Sequence, residues 1–257
     1  MNNVLAIAQK ELRAYFASPI AYIVLGFFAL LFGFFYIGIL DWFVRQGMQM
    51  GDFGMGGPQN LNVNQQVIRP LFLNMSVVLL FLLPLITMRT YAEEKRAGTI
   101  ELLLTSPLTD LQIVLGKFVG AMALFGAMLL LTLIHFSLLF AFGNPDWKPL
   151  IVAYLGLLLF GGCFISLGLF ISSLTKNQIV AGAATFGVFL LLWVIDWIGQ
   201  SLGPTGESIL KYLSMTEHLD DFVKGVIDTK HLVYYCSFIA FGLFLTVRSV
   251  DTERWRG

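Results

Sequence analysis

The sequence is poor in charge and in cysteine. Only 12% of its 257 residues are charged and 57% are hydrophobic, whereas an ordinary soluble domain is about 25% charged. With a mean hydropathy of +0.79, the apolar surface is too large for one globular core of this length, so lipid must solvate part of it. Sixteen basic residues balance sixteen acidic ones, which gives no net positive charge to attract nucleic acid. The composition predicts an all-α integral membrane protein.

The sequence also lacks the short motifs of several enzyme classes. It contains no H-E-x-x-H, G-x-S-x-G or C-x-x-C, and no nucleotide-binding G-x-x-x-x-G-K-[ST] loop. We therefore expect a chain that is not an enzyme and binds no cofactor or metal itself. Cys163 and Cys236 lie in apolar runs and are predicted to pack as small core residues. The three histidines, His135, His218 and His231, are predicted to lie at different depths.

Six apolar runs predict six transmembrane helices. A helix rises about 1.5 Å per residue, so about 20 residues cross a hydrocarbon core of about 30 Å. The runs are residues 20–40, 71–88, 118–142, 150–174, 179–198 and 232–247. The sixth run is short, and its flanking polar residues are expected to lie in the interface. Six crossings place both termini on one side of the membrane.

Basic residues in the connections predict which side that is. Ten Lys or Arg occur on the side of the termini, in residues 1–19, 89–117, 175–178 and 248–257, against six in the opposite connections. Because basic connections tend to stay in the cytoplasm, both termini are predicted to be cytoplasmic. Residues 41–70 and 199–231 are then external loops.

Residues 1–19 have the pattern of an amphipathic helix that lies on the membrane. Six apolar side chains fall within an arc of about 120°: Val4, Leu5, Ala8, Leu12, Tyr15 and Phe16. Lys10 and Arg13 point the opposite way. Ser18 and Pro19 are expected to end this helix before the first transmembrane run.

Residues 89–117 form the most informative connection, RTYAEEKRAGTIELLLTSPLTDLQIVLGK. Its first charged residues continue the second run into the cytoplasm, and Gly98 is a typical residue after a helix end. Thr109 and Gln112 have the spacing of a capping box, which predicts the start of the helix that leads into the third run. Between them, Thr99–Thr105 forms a separate short element.

That short element, TIELLLT, is too short to cross a membrane, yet it carries one isoleucine and three leucines. Two interpretations remain open. These side chains are covered either by the chain's own helices and lipid headgroups, or by a groove on a soluble subunit. In the second case Glu101 and the nearby charges of Glu93, Glu94, Lys95 and Arg96 would fix the register of docking.

Few ionisable groups occur inside the runs. His135 lies deep in the third run and is expected to be neutral and hydrogen-bonded to a neighbouring helix. Asp196 lies between Trp193 and Trp197, where an interfacial aromatic belt is expected. Both remain candidates for a transport pathway or a subunit interface.

Small residues spaced four apart would let helices approach closely, either within the chain or against another copy. The pairs are Gly116 with Gly120, Ala123 with Ala127, Gly162 with Ser166, and Ala183 with Gly187. In the external loops, Met48, Met50 and Met55 lack a neighbouring Cys or His, so a metal site is not predicted. Residues 199–231 contain a Gly203-Pro204 turn followed by a helical rhythm, which predicts one or two amphipathic helices.

The order of these elements, with E-E-K-R-x-G-T-x-E-L-L-L-x-S-P-L-T in the cytoplasmic loop, resembles the permease subunits of ABC-2 type exporters. Within them it is most similar to the group of the gliding-motility GldF and copper-maturation NosY permeases. The resemblance covers the whole chain, and Glu94–Thr109 is its most specific part. Tyr212–Asp228, before the last run, is a second matching segment.

The resemblance implies that the cytoplasmic loop contains a coupling helix that docks on an ABC ATPase subunit, which holds the ATP and magnesium. The residues assigned to docking are Glu93, Glu94, Gly98, Thr99, Glu101, Leu102, Leu103, Leu104, Ser106 and Pro107. It also implies a second permease copy or a related permease, and in many relatives an auxiliary membrane subunit with a large external domain. In the resembling family the loop before the last run re-enters the membrane, and a passive cap at the outer surface is the alternative here.

The sequence therefore predicts the transmembrane permease subunit of an ATP-driven exporter in a bacterial inner membrane. One alternative is a subunit that transmits mechanical force to an envelope or gliding-motility partner without transport. The other is a stand-alone secondary carrier, which would need an ionisable or ion-binding site near the membrane midplane. No feature of the sequence identifies a substrate.

Overall fold

The computed structural model describes residues 2–52, 62–143, 145–199, 208 and 210–254. Within them, the side chains of Asn2, residues 50–52, Leu104 and residues 196–199 lie outside the description. The described residues form helices and turns without any strand. Six of the helices are long and apolar enough to cross a membrane. The predicted all-α membrane fold with six crossings is confirmed.

In the described part of the chain, residues 210–213 are helical, and ten further α-helices have defined bounds. They are α1 Asn2–Ala17, α2 Pro19–Asp52, α3 Arg69–Thr87, α4 Ala92–Ala97, α5 Ile100–Leu104, α6 Asp110–Phe142, α7 Trp147–Ser173, α8 Gln178–Gly199, α9 Met215–Val223 and α10 Thr229–Arg254. A π-helical turn, Asn64–Ile68, leads into α3. Helices α2, α3, α6, α7, α8 and α10 are the six crossings, and α1, α4, α5 and α9 are the additional helices.

Helix α2 is longer than the sequence predicted. It continues to Asp52 through residues assigned above to an external loop. The extension contains an ion pair one helical turn apart, between Arg45 Nε and Asp41 Oδ2 at 2.8 Å, which stabilises helical backbone. Met48 is exposed on this extension, whereas Met55 and the Gly203-Pro204 turn lie outside the described residues.

Contacts at the two ends of the bundle define its sides. Where the chain termini lie, Lys95 pairs with Glu253 at 2.9 Å and Arg254 pairs with Asp110 at 2.7 Å. We call this the termini side; it holds α1, α4 and α5. At the other end, Asn64 Nδ2 donates to the carbonyl of Asp146 at 2.9 Å. We call that end the far side; it holds α9.

Helices α3 and α7 form the centre of the bundle. In the apolar window of each, 61% of residues are buried, against 22% in α2 and 17% in α8. Glycines allow the close packing around α7. A Cβ on Gly161 would lie 2.2 Å from Phe125 Cε1 of α6, and a Cβ on Gly156 would lie 2.4 Å from Phe222 Cβ of α9. The outer surfaces of α2 and α8 are therefore left to lipid or to another subunit.

The small-residue pairs divide into two groups. Gly116 with Gly120 packs against α1, and Gly162 with Ser166 packs against α10. Ala183 is exposed and Gly187 has open space where a Cβ would stand. Ala123 is also exposed on α6. The first two pairs serve packing within the chain, and the other two face outward.

Candidate functional site

Two local signals fix the positions of the short helices α4 and α5: a glycine that ends α4 and a capping box that begins α6. Helix α4 ends at Gly98, whose φ of +71° is left-handed, and the amide of Thr99 bonds the carbonyl of Glu94 at 3.0 Å. At the start of α6, Thr109 Oγ1 accepts from the Gln112 amide, and the Thr109 amide donates to Gln112 Oε1, both at 3.3 Å. The predicted glycine end and the predicted capping box are both confirmed.

Helix α5 turns one apolar side chain inward and another outward. Ile100 is buried against the bundle, whereas Leu102 is 74% exposed. Leu103 is half-buried, and Glu101 is exposed on the same short helix. The side chain of Leu104 lies outside the described residues. Within this chain, α5 is therefore only partly covered.

A buried lysine lies beneath α4. Lys117, near the start of α6, is fully buried, and its Nζ lies 3.0 Å from Glu11 Oε1 and 2.8 Å from Glu94 Oε2. It also donates to the carbonyl of Thr90 at 3.0 Å and lies 5.0 Å from the centre of the Tyr91 ring. A charge buried in this way requires such partners, because desolvation without them is very costly.

Lys10 completes the cluster from the solvent side. Its Nζ lies 2.8 Å from Glu94 Oε1 and 3.3 Å from Glu11 Oε1. Burial alone would lower the pKa of Lys10, but its bonds and charge interactions with Glu94 and Glu11 outweigh burial and raise it. Two cations thus face two carboxylates, and we call Lys10, Glu11, Glu94 and Lys117 the ion cluster. It joins α1, α4 and α6.

Helix α1 packs closely on α6 beside this cluster. A Cβ on Gly116 would lie 2.5 Å from Ile7 Cβ, and a Cβ on Gly120 would lie 2.8 Å from Glu11 Cβ. The predicted amphipathic helix is present, but its packed face differs from the predicted stripe. Glu11 is buried on that face, whereas Leu5 is exposed. Lys117 neutralises Glu11, which permits a carboxylate where the hydrophobic pattern predicts apolar residues.

The structure separates the residues assigned to docking into two sets. Glu93 accepts from Arg89 Nε at 2.7 Å, and Arg89 also donates to Ser18 Oγ at 2.8 Å. Glu93 and Glu94 therefore bind the chain's own helices, as does Lys95. The exposed or half-buried set comprises Gly98, Thr99, Glu101, Leu102, Leu103, Ser106 and Pro107.

Sequence reasoning missed Glu11 and Lys117 as members of this site. Lys117 was counted only among the basic residues of the cytoplasmic connections. The available signal was its position eight residues into a helix that begins at a capping box, where apolar sequence already surrounds it. Its partners could not be found in this way, because Glu11 is 106 residues away along the chain.

The other candidate residues lie apart from the ion cluster. His135 is packed between Phe32 and Tyr36 of α2, with ring centres 5.0 and 5.2 Å away, and its Nδ1 has no hydrogen-bond partner. The hydrogen bond that the sequence predicted from His135 to a neighbouring helix is not made by this nitrogen, because aromatic rings of α2 surround it. The side chain of Asp196 lies outside the described residues.

Two histidines contradict the sequence prediction directly. His218 of α9 and His231 of α10 were expected at different depths, but their ring centres are 4.7 Å apart on the far side. The turn between the two helices contains Gly225, with φ of +85°, and reverses the chain so that the rings meet. In the described part of the chain, no group of three or more His, Cys, Asp or Glu has the arrangement of a metal site.

The fold, with six crossings and a short exposed helix between the second and third, is that of a polytopic membrane protein. A family model described as ABC-2 family transporter protein matches residues 5–235. The chain belongs to this family.

Individual relatives agree with this assignment. A protein of Escherichia coli strain K12, described as "Probable multidrug ABC transporter permease YbhR", is 34% identical over 149 residues. The protein of the same description from Escherichia coli O157:H7 has the same identity. The alignment covers 55% of this chain and 39% of each relative. This chain therefore matches well under half the length of these relatives.

Proposed function

We propose that this permease docks an ABC ATPase on α5 and uses ATP binding and hydrolysis by that subunit to drive export. The observation that carries the proposal is Leu102, whose side chain is 74% exposed on a five-residue helix. A helix of this length cannot cross a membrane. An exposed leucine on a short helix fits a hydrophobic groove of a soluble partner.

The chemistry of α5 suits such a groove. Burying one leucine contributes roughly 1.5–3 kcal/mol. Glu101 lies beside Leu102 and is exposed, and Arg96 is exposed at the end of α4. Charges at the rim of an interface set its register and partner more than its affinity. The partner groove is expected to be apolar at its centre with a basic group facing Glu101.

The ion cluster provides a route for movement from α5 to the bundle. Helix α4 precedes α5 directly and is held to α1 and α6 through Glu94, and to α10 through the ion pair of Lys95 with Glu253. A push on α5 would therefore move several helices together as a rigid unit. The sparsely buried helices α2 and α8 would then separate from those of a second permease copy.

The proposed assembly contains two permease chains, as a homodimer or with a related permease, and two ATPase subunits that hold ATP and magnesium. An auxiliary membrane subunit with a large external domain and membership of the GldF and NosY group are further parts of this proposal. The termini side would face the cytoplasm across a bacterial inner membrane, which the excess of basic residues on that side supports.

Mechanical transmission to an envelope partner would use the same docking helix and the same moving bundle. A secondary carrier would instead need an ionisable site near the midplane. Lys117 lies near the first residues of α6, at the termini side, so that rival depends on His135 alone among the residues singled out. A His135→Ala variant that transports normally would remove it.

The docking proposal is tested with Leu102→Glu and a matched control, Leu111→Glu. Leu111 is 55% exposed at the start of α6, on the same side of the bundle. A tagged permease is purified from native membranes, and the ABC ATPase recovered with it is quantified. Leu102→Glu should lower ATPase recovery by about tenfold or more, since about 1.4 kcal/mol corresponds to tenfold. The control should retain it, and equal recovery from both variants would refute docking on α5.

A further inference from the structure

The histidine contact on the far side lies outside the proposed docking function. His218 and His231 are both buried, and their facing Nδ1 atoms are 2.5 Å apart. His218 Nε2 lies 2.8 Å from the carbonyl oxygen of Tyr212, and His231 Nε2 lies 2.8 Å from Asp221 Oδ2. The four groups form one continuous chain of hydrogen-bonding atoms between α9 and α10.

The ends of this chain fix the position of two protons. The carbonyl oxygen of Tyr212 can only accept a hydrogen bond, and so can an ionised carboxylate. Burial would raise the pKa of Asp221, but hydrogen bonds and charges from His231 and Lys224 outweigh it and lower the pKa. Asp221 is therefore ionised at neutral pH. Each ring must carry a hydrogen on its own Nε2.

The middle of the chain then needs one further proton. A neutral imidazole carries a single N–H, so two neutral rings with hydrogen on Nε2 would turn two Nδ1 lone pairs toward each other. Two fully protonated rings would turn two N–H groups toward each other. Only one additional proton, placed between the two Nδ1 atoms, leaves His218 and His231 with a partner for every ring nitrogen.

Neighbouring groups determine which ring carries the charge. His231 is bonded to the carboxylate of Asp221. His218 bonds a neutral carbonyl and stacks on Tyr234, with ring centres 3.9 Å apart. Burial, the largest effect, lowers the pKa of His218. Of the two rings, His218 is therefore the neutral acceptor of the shared proton.

We propose that His218 and His231 form a proton-binding site in which one shared proton, with Asp221 as its counter-ion, fastens α9 to α10. The site is a pH-sensitive contact between these two helices on the far side of the membrane. It requires neither the ATPase nor any cofactor. Its state depends on the pH of the compartment that the far side faces.

The other charged groups around His218 and His231 pair mainly with one another and do not bond to either ring. Asp220 is neutralised by Arg69 of α3 at 2.8 Å and by Lys224 at 2.6 Å, and Lys224 also lies 3.3 Å from Asp221. Glu217 of α9 pairs with Lys211, and Asp228 pairs with Lys230 at the start of α10. Helix α7 contributes Gly156 and Pro149 to its contacts with α9 and with the turn after it. Asp221 is thus the carboxylate that directly bonds the pair.

A metal ion between the rings does not fit this geometry. Two nitrogens bound to tetrahedral zinc at about 2.0–2.1 Å are about 3.3 Å apart, and the Nδ1 atoms here are 2.5 Å apart. A proton can occupy this gap, whereas zinc would force the two rings apart. The outer nitrogens are in addition engaged by Tyr212 and Asp221.

The proposal predicts that the attachment of α9 is stable only within a range of pH. We call the lower and upper limits of this range its two edges. As pH falls through the lowered pKa of His218, a second proton enters and two N–H groups oppose each other. This edge lies below about pH 6.5, the usual histidine value. As pH rises, the shared proton is lost and two lone pairs oppose each other. Helix α9 should be most firmly attached between the two edges.

The experiment uses the full-length chain in lipid nanodiscs with ¹⁵N-labelled histidine. Only three histidines contribute signals, and His135→Gln removes the one that lies on α6. At about pH 7, one remaining ring should show an imidazolium and the other a neutral Nε2–H form. Two neutral rings at this pH would overturn the proposal. So would a change of these signals on addition of a chelator, which would reveal a bound metal.

Hydrogen exchange of residues 215–223 provides a second measurement. After correction for intrinsic rates, exchange should be about tenfold slower near pH 7 than at either edge, because a hydrogen bond to a charged group is lost at both. Asp221→Asn removes the counter-ion and should move the upper edge to lower pH. The control Asp41→Asn, whose carboxylate pairs with Arg45 on α2, should not move it. An upper edge unmoved by Asp221→Asn would also overturn the proposal.

Discussion

The two ends of this molecule hold their extra helices by different electrostatics. On the termini side, two lysines and two carboxylates bind α1, α4 and α6 together, and Lys117 is fully buried among them. On the far side, a single proton between His218 and His231 joins α9 to α10. The first arrangement is built from lysines and carboxylates, residue types whose ordinary pKa values lie far from neutrality, whereas the second is built on histidines, whose ordinary pKa value lies close to it. A force-bearing joint benefits from the first property, and a sensor benefits from the second.

The largest expected loss of stability comes from removing the buried cation of the ion cluster on the termini side. Lys117→Met leaves Glu11 and Glu94 buried with only one cation near them, which should cost about 3–5 kcal/mol of stability. Thermal unfolding of the purified protein in detergent measures this loss. Lys10→Met is the control, because Lys10 is 57% exposed at its side chain, and its removal should cost about 1 kcal/mol or less. Equal losses in the two variants would contradict a special role for the buried lysine.

A smaller effect is expected from crowding the far side. Gly156→Ala places a methyl group 2.4 Å from Phe222 Cβ, which pushes α9 away from α7 and should cost about 1–3 kcal/mol. Hydrogen exchange of α9 should accelerate while that of α1 stays the same. Gly187→Ala is the control, since nothing lies within 4 Å of the added carbon. Unchanged exchange of α9 in Gly156→Ala would show that packing against α7 does not hold this helix.

The smallest expected effect is the absence of a pH dependence on the termini side, in contrast to the far side. The pKa of Lys10 is raised by its carboxylate partners, so its contribution is present below the usual lysine value of about 10.4 and is lost only above it. Hydrogen exchange of α1, corrected for intrinsic rates, should therefore be constant from about pH 5 to pH 9. A change in α1 within that range, parallel to the change in α9, would mean that the two ends do not differ in this way.

Local features of the fold were predictable from the sequence because their causes are local. Gly98 ends α4 because it tolerates a positive φ, and the Thr109–Gln112 pair begins α6 because its side chains satisfy free backbone amides. The boundary of α2 was less predictable, because polar residues such as Asp41 and Arg45 can extend a helix beyond its apolar run. Hydropathy reports the part of a helix that suits lipid and does not report where the helix ends.

The candidate site was predictable only in part. The shortness and leucine content of α5 were visible in the sequence, but the division between inward Ile100 and outward Leu102 was not. The amphipathic pattern of α1 was visible, but it gave no reason to expect Glu11 to be buried. A hydrophobic pattern treats every carboxylate as solvent-exposed, and it fails where a buried cation from another helix compensates that charge.

The sequence by itself determined six crossings, the capped ends of the connecting helices and a helix too short to span lipid. These properties depend on residues within a few positions of one another and on the thickness of a bilayer. Tertiary structure alone decided that Lys117 meets Glu11 and Glu94, and that His218 meets His231. Such pairs form because packing brings separate helices together, and a buried charge is stable only where that packing supplies its partner.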